Sequence, residues 1–239
     1  MSAVQSAPSL SQFFSRHIKP DHNVAFIGAF GDPVVHDPSA LYASIITSRG
    51  NGRVHIVDSQ SQTLQDLLFK ARFKHYTKNL EHAHERLSSL PFSGIGDPLQ
   101  YRKKTKEFAD SHGFDIRFPN VRIADAVDTR FKDKFLDVLV DAGSLAFVTD
   151  DSREEDVSSR STARLQEALD EYKRISRKAL FLYFGNDSRF PLIREILEGM
   201  GARVTETRIS NEYQLSSPTG GKIVLKHTYE YDRAMVVRF

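Results

Sequence analysis

The chain has 239 residues, of which 40% are hydrophobic and 27% charged, and its formal net charge is +2 with a sequence pI near 8.7. This composition argues against a disordered chain, and so small a positive charge does not by itself indicate a nucleic-acid-binding protein. Cysteine is absent, which excludes a disulfide scaffold, a thiolate nucleophile and cysteine-ligated metal sites. The apolar runs are too short to span a bilayer and residues 1–15 lack a signal-peptide pattern, so we expect a cytoplasmic protein.

The first regular elements are predicted to form a strand–helix–strand unit. Residues 23–28 are an apolar run stopped by glycine, which is typical of a strand buried on both faces in a parallel sheet. An Asp-Pro pair at 37–38 predicts the start of a helix that ends near Gly50. Residues 53–57 predict a second strand, which ends at Asp58, and the crossover between the two strands is expected to be right-handed.

Residues 60–118 are predicted to form a helical insertion after the second strand. Apolar residues recur at broken helical spacing between 64 and 87, a turn-rich break follows at 91–98, and residues 98–113 indicate another helix with glycine at its C-cap. A minimal crossover needs only about 10–12 residues. We therefore expect this segment to form a helical cap on an otherwise regular sheet.

The alternation of strands and helices then resumes. The predicted strands are residues 121–124, 135–141 and 178–184, and the predicted helices are residues 162–176 and 191–200. The tail from residue 203 alternates as strands, with a hairpin turn at 217–221. We therefore predict one doubly wound α/β domain over residues 23–239, preceded by a short helix or a loose arm over residues 1–22.

The carboxyl ends of the predicted strands carry the candidate functional residues, because ligands of open α/β sheets bind there. Gly28, Gly31 and Asp32 follow the first strand, and the glycines allow the backbone to bend sharply and to approach a ligand closely. Asp58 ends the second strand and can accept hydrogen bonds from both hydroxyls of a ribose, while Asp125 near the third strand can accept one from an adenine amino group. Each of these features alone is also explained by a turn or a helix cap.

Taken in order, these features resemble the class I S-adenosylmethionine-dependent methyltransferases over residues 23–58 and 120–239. The resemblance implies a seven-stranded, mostly parallel sheet with an antiparallel C-terminal addition, and S-adenosylmethionine as the cofactor. The residues that it assigns to the cofactor are Gly28 and Gly31 at the methionine part, Asp58 at the ribose, and Asp125 with Ala126 at the adenine.

The glycine loop departs from the family pattern. It contains two glycines rather than three, and Phe26 stands where the family has an acid two residues before the first glycine. Asp32, on the other side of the loop, is the candidate to supply that carboxylate. The same departure favours an alternative, in which the chain is a catalytically inactive binding protein with the methyltransferase fold.

The methyl acceptor has no motif of its own in this sequence. In the family the turn after the fourth strand borders the site of methyl transfer, so Asp141 and Ser144 are candidate acceptor contacts, and His36 and Tyr101 are the others. Asp141 can accept a proton or a hydrogen bond from an acceptor hydroxyl or amine. The simpler interpretation, that Asp141 ends the strand and caps the turn, is equally consistent with the sequence.

We expect a small-molecule acceptor, with nucleic acid as the alternative. The predicted insertion concentrates basic residues with interleaved aromatic residues, a combination that can bind phosphates and stack on bases. The basic residues are Lys70, Arg72, Lys74, Lys78, Arg102, Lys103, Lys104 and Lys106, and the aromatic ones are Phe69, Phe73, Tyr76 and Tyr101. A solvated helix face above a core of aromatic rings explains the same pattern.

Other chemistries fit the sequence less well. The glycine spacing and the distance to Asp58 do not match a nicotinamide-binding fingerprint, and a phosphate-binding P-loop motif is missing. Ser144 lacks the second glycine of a hydrolase nucleophile elbow. The cluster of His75, Glu81, His82, His84 and Glu85 has no His-Glu-x-x-His spacing, so we predict a solvated polar face and no metal site.

Overall fold

A seven-stranded sheet lies at the centre of the computed structural model, which describes residues 7–28, 34, 37–58, 98–145, 159–227 and 229–239. The strands of these residues are β1 (Asn23–Ile27), β2 (Arg53–Asp58), β3 (Asn120–Ile123), β4 (Val138–Asp141), β5 (Lys178–Tyr183), β6 (Arg203–Arg208), β7 (Glu212–Ser216), β8 (Lys222–Lys226) and β9 (Arg233–Arg238). The helices are α1 (Leu10–His17), α2 (Ser39–Thr47), α3 (Pro98–His112), α4 (Ser159–Ile175) and α5 (Arg189–Gly199).

The strand order of the main sheet is β3-β2-β1-β4-β5-β9-β6. Strands β1 to β5 pair in parallel, whereas β9 is antiparallel to both β5 and β6. The order reverses between β1 and β4, which makes their carboxyl ends the topological switch point of the sheet. The predicted doubly wound, seven-stranded and mostly parallel sheet is confirmed.

The C-terminal hairpin of β7 and β8 is also confirmed, and it forms a separate two-stranded sheet. Its turn lies at 217–221 as predicted, and Gly220 and Gly221 both have positive φ angles, of 98° and 96°. The hairpin packs on α1, where the ring of Phe14 stacks on Tyr213 at 5.9 Å between centroids. The antiparallel strand of the main sheet is therefore β9, which follows the hairpin.

Helices bury the main sheet on both faces, and this explains the apolar runs in its strands. One core forms between the sheet and α1, α2 and α3, and the other forms between the sheet and α4 and α5. Val24 and Phe26 of β1 belong to the first core, and Ala25 and Ile27 to the second. Because both faces are buried, no polar residue interrupts the strand.

The N-terminal segment forms a helix that is part of the first core. Ser9 and Gln12 make a capping box at its start, in which each side chain accepts a hydrogen bond from the other residue's backbone N–H. Phe13 and Phe14 are buried on the side of the helix that faces the sheet and the hairpin. Of the predicted alternatives for residues 1–22, a short helix is the one observed, and it packs into the domain.

The described elements lie close to their predicted bounds, with one larger difference at β4. The predicted strand 135–141 is shortened at its start, because Phe135 is 39% exposed and Leu136 makes only an isolated bridge to Ser176. The predicted helix 98–113 is α3, which ends at His112 and is followed by Gly113 with φ 73°. The helix predicted between 64 and 87, with its basic and histidine-rich residues, lies outside the described residues. None of the helices in the described ranges combines the length and apolar character that a membrane span requires.

Candidate functional site

The first and fourth strands meet at a glycine that cannot be replaced without strain. Gly28 follows β1 with φ 69°, and its N–H donates to the carbonyl of Val57 at the end of β2 over 2.8 Å. A Cβ on Gly28 would lie 2.7 Å from Cβ of Ser144, in the turn after β4. Glycine is therefore required there by backbone angle and by space, as in a tight turn, and its role at the cofactor stays a prediction.

Asp141, the last residue of β4, holds the turn that follows it. Its Oδ1 accepts hydrogen bonds from the backbone N–H groups of Ser144 at 2.7 Å and Leu145 at 3.4 Å, and its Oδ2 accepts one from the Tyr172 hydroxyl at 2.8 Å. The residue is only 1% exposed, and burial raises the pKa of its carboxyl even though these hydrogen bonds oppose the shift. These contacts match the capping interpretation, while contact with an acceptor stays a prediction.

Two further bonds fix the same turn from its other sides. The Ser144 hydroxyl donates to the carbonyl of Ile27 at 3.0 Å, and the Tyr231 hydroxyl donates to the carbonyl of Ala142 at 2.6 Å. Gly143 lies between them with φ 84°. The turn is thus anchored to β1, to α4 through Asp141, and to the segment before β9, so its geometry is set before any ligand binds.

The predicted ribose and adenine residues lie at the ends of adjacent strands. Asp58 is the last residue of β2 and pairs with Ile123 of β3, two residues before Asp125. Oδ1 of Asp125 accepts the backbone N–H of Val127 at 3.1 Å, and its Oδ2 forms a partly exposed ion pair with Arg164 of α4 at 3.0 Å. The neighbouring Ala126 is buried, in the second core.

The remaining predicted site residues fall elsewhere. Gly31, Asp32 and His36 lie outside the described residues. Tyr101 is in α3, where it is 3% exposed and belongs to the first core, so its role as an acceptor contact stays a prediction. On the exposed side of α3, Lys103 makes a salt bridge of 3.9 Å with Glu107 one turn away, as a solvated helix face does.

A buried pair that the sequence did not reveal joins the start of α2 to the segment before β9. Nε2 of His227 lies 3.1 Å from Oδ1 of Asp37, and that oxygen also accepts the backbone N–H of Ser39 at 2.9 Å. Burial acts to raise the pKa of Asp37, but His227 and Ser39 outweigh it and hold the pKa below its usual value. The Asp-Pro pair was a signal for the helix start, although Pro38 is its N-cap and Ser39 its first residue. The partner, His227, had no local signal.

An aromatic cluster, Phe184, Tyr229 and Tyr231, lies where β5 ends and β9 begins; we call it the aromatic shelf. The Tyr231 ring is 5.1 Å from that of Phe184 and 6.0 Å from that of Tyr229. Phe184 is 37% exposed and Tyr229 56%, whereas Tyr231 is buried. Because Tyr231 contacts the turn after β4, the shelf extends that turn with a partly apolar surface of tilted rings. The Tyr-x-Tyr spacing just before the last strand was its only signal in the sequence.

No cluster of three or more His, Asp or Glu side chains suited to a metal ion occurs in the part of the chain that the structure describes. The arrangement instead gathers backbone loops, carboxylates and aromatic rings at one edge of the sheet. Such a set can hold a nucleoside-containing ligand and place a second molecule beside it.

Solved structures with this kind of fold are similar to the chain at low sequence identity. An S-adenosylmethionine-dependent methyltransferase from Methanosarcina mazei is 12% identical with a TM-score of 0.48, and the match covers 96% of this chain and 98% of that one. A precorrin-8w decarboxylase from Methanobacterium thermoautotrophicum is 12% identical with a TM-score of 0.44, and the match covers 95% of this chain and 87% of that one. An O-methyltransferase from Thermotoga maritima is 9% identical with a TM-score of 0.45, and the match covers 95% of this chain and 64% of that one. The chain matches no protein-family model and no curated protein.

Proposed function

We propose that the chain is an S-adenosylmethionine-dependent methyltransferase with its cofactor at the carboxyl ends of β1 to β3 and its acceptor beside the ends of β4 and β5. The observation that carries the proposal is the packing at the switch point, where Gly28 with φ 69° lies against Ser144. The positive φ turns the backbone sharply after β1, and the close packing on Ser144 fixes the two turns that border the switch point, where ligands of such sheets bind.

The residues at this edge fit the cofactor in their chemistry. Asp58 ends β2 and Asp125 follows the adjacent strand β3, and in this proposal they accept hydrogen bonds from the ribose hydroxyls and the adenine amino group. Asp125 would have to share or release Arg164. A partly exposed ion pair contributes only about 0–1 kcal/mol, whereas a hydrogen bond to a charged group contributes about 1.5–3 kcal/mol, so the exchange favours binding. In this proposal Gly31 and Asp32 complete the loop around the methionine part.

The reaction requires alignment more than functional groups from the protein. When bound, S-adenosylmethionine supplies an electrophilic methyl group, and the protein holds the acceptor atom in line with it. Asp141 contributes to this alignment because its hydrogen bonds fix the turn between β4 and the acceptor. The exposed rings of Phe184 and Tyr229 favour a small, planar and partly apolar acceptor, which stacks on the aromatic shelf. Direct roles for Asp141, Tyr101 and His36 at the acceptor remain predictions.

A binding protein without methyltransferase activity is the second candidate. Phe26, which stands where the family has an acid, is fully buried and packs with Phe14 at 6.3 Å between ring centroids. Its side chain therefore belongs to the core and offers no group to the cofactor. The nucleic-acid alternative depends mainly on residues 70–78, outside the described residues, and on the exposed side of α3.

Calorimetric titration with S-adenosylmethionine and S-adenosylhomocysteine tests the proposal, with NAD as the negative control. We expect both ligands to bind and Asp58→Asn to weaken binding by about 10-fold or more, the effect of losing hydrogen bonds to a charged group. Asp110→Asn, which changes an exposed acid of α3, is the matched control and should bind like the wild type. No binding at millimolar ligand would refute the proposal, and binding without turnover on any acceptor would favour the second candidate.

A further inference from the structure

Three cationic side chains lie in a row across three neighbouring strands, at the edge of the sheet opposite the proposed cofactor site. Arg238 of β9 pairs directly with Lys178 of β5 on one side and with Arg203 of β6 on the other. Lys178 and Arg203 each begin a strand, so the row lies at the amino ends of β5 and β6, about 20 Å from their carboxyl ends. Like charges directly opposite each other destabilise a sheet, so this row has a cost that the fold itself does not explain.

The row faces the same side as α1 and continues into a groove. Side chains alternate along a strand, and Leu180, two residues after Lys178, and Val236, two residues before Arg238, both belong to the first core. The groove between α1 and the neighbouring strands β6 and β9 has a volume of about 350 Å³. It is lined by Pro8, Phe13, Arg16, His17, Arg203, Thr205, Thr207, Val236 and Arg238. This lining includes three arginines, one histidine and two hydroxyl groups but no carboxylate.

The charges of this groove act on one another. The pKa of His17 is lowered to about 4, first by burial and then by Lys178, Arg238 and Arg16. Burial, followed by Arg238 and Lys19, also lowers the pKa of Lys178. A single described carboxylate, Asp137, opposes the shift of Lys178. Cationic side chains therefore outnumber carboxylates around His17 and Lys178.

The fold compensates part of this charge. Lys178 donates from its Nζ to the carbonyl of His17 at 3.3 Å, where the C-terminus of α1 favours a cation. Arg16 also lies in the last turn of that helix. Arg203 and Arg238 lie on strands and gain nothing from a helix end, and the described ion pairs include neither of them. Among the arginines that line the groove, Arg203 and Arg238 therefore have neither a described ion pair nor a helix end to compensate their charge.

We infer that this groove binds a small anionic ligand that carries two or more adjacent phosphate groups. The planar guanidinium groups of Arg203 and Arg238 present paired donors that match phosphate oxygens, and Thr205 and Thr207 add hydroxyl donors beside them. A single groove of about 350 Å³ suits a small molecule, whereas a nucleic-acid strand needs an extended track.

The inference is tested by titrating orthophosphate, pyrophosphate and tripolyphosphate into the full chain at low salt. We expect affinity to rise with the number of phosphates and to fall as salt increases. The double variant R203Q/R238Q should weaken tripolyphosphate binding by at least 10-fold and, without ligand, should melt no lower than the wild type because the row of like charges is relieved. Arg208→Gln is the matched control, since Arg208 ends the same strand, is exposed and is not part of the groove.

Three results would overturn the inference. The first is that tripolyphosphate does not bind the wild type at millimolar concentration. The second is that it binds R203Q/R238Q as well as it binds the wild type. The third is that a single-stranded 20-nucleotide RNA binds more tightly than tripolyphosphate and loses its affinity in the same variant, which would assign the groove to nucleic acid. Loss of S-adenosylhomocysteine binding in Asp58→Asn has no bearing on any of these outcomes, so the two proposals fail independently.

Discussion

Replacing Gly28 with alanine should damage the switch point in two separable ways. The positive φ of 69° costs a non-glycine residue about 1–2 kcal/mol. The new Cβ would lie 2.7 Å from Cβ of Ser144 and would displace that residue from its bond to Ile27, at about 1 kcal/mol for the hydrogen bond. We therefore expect Gly28→Ala to lower the free energy of unfolding by about 2–3 kcal/mol.

Two other glycines separate these contributions. Gly201 also has a positive φ, of 79°, but a Cβ there would meet nothing within 4 Å, so Gly201→Ala should cost only the backbone share of about 1–2 kcal/mol. Gly199 ends α5 in open space without a positive φ, and Gly199→Ala should be neutral or stabilising by a few tenths of a kcal/mol. Adding Ser144→Gly to Gly28→Ala should remove the steric conflict, so the double variant should be less destabilised than the sum of the two single changes.

Urea unfolding of these variants, followed by circular dichroism, gives the free energies directly. The expected order of stability is Gly199→Ala, then Gly201→Ala, then Gly28→Ala. If Gly28→Ala were no less stable than Gly201→Ala, or if the effects of Gly28→Ala and Ser144→Gly were additive, the close packing of the two turns would be refuted.

Three further predictions concern the turn, the core and the shelf. Asp141→Asn should lower the melting temperature, since a lost cap costs about 0.5–2 kcal/mol. Any loss of S-adenosylhomocysteine affinity should be proportional to that loss of stability. A variant that keeps its melting temperature but has a turnover reduced about 100-fold would instead make Asp141 a catalytic residue. His55 is buried between Phe131 and Phe135, and burial, followed by Arg122, lowers its pKa from 6.5 to about 4. As the pH falls, His55 is therefore protonated in the unfolded chain before it is protonated in the folded one, and the free energy of unfolding should fall by roughly 3 kcal/mol between pH 6.5 and pH 4. In urea unfolding measured across this pH range, His55→Leu should make that decline shallower. An unchanged dependence on pH would exclude His55 as its source. Tyr229→Ala should raise KM for a planar acceptor several-fold without changing S-adenosylhomocysteine affinity in calorimetry, and an unchanged KM would remove the shelf from the acceptor site.

The architecture could be predicted from the sequence because its signals are local. Residues 23–28 and 178–184 are short, mainly apolar runs, and residues 53–57 carry Val54, Ile56 and Val57 between polar residues, so burial in the sheet leaves a mark on each strand separately. The first residue of β4 was predicted too early, because Phe135 and Leu136 belong to the apolar run although the strand pairing of β4 begins only at Val138. The apolar pattern here includes an exposed ring, Phe135, and a buried residue, Leu136, that makes only an isolated bridge, so it extends beyond the strand.

The site was predictable only where one residue carries the signal. Gly28 was found because a glycine after a buried strand indicates a turn, and its contact with Ser144 follows from the topology. The pair of Asp37 and His227 could not be found, because its members are far apart in the chain and only the tertiary fold brings them together. The row that includes Arg238 was hidden for the same reason, since strand register is set by the whole sheet.

A crystal structure of the chain with S-adenosylhomocysteine bound would test the central claim most directly. The proposal predicts adenosine between Asp58 and Asp125, the methionine part over the backbone at Gly28, and the sulfur directed toward the turn that Asp141 holds. A ligand bound elsewhere, or crystals grown at millimolar ligand that show none at the carboxyl ends of β1 to β3, would contradict it.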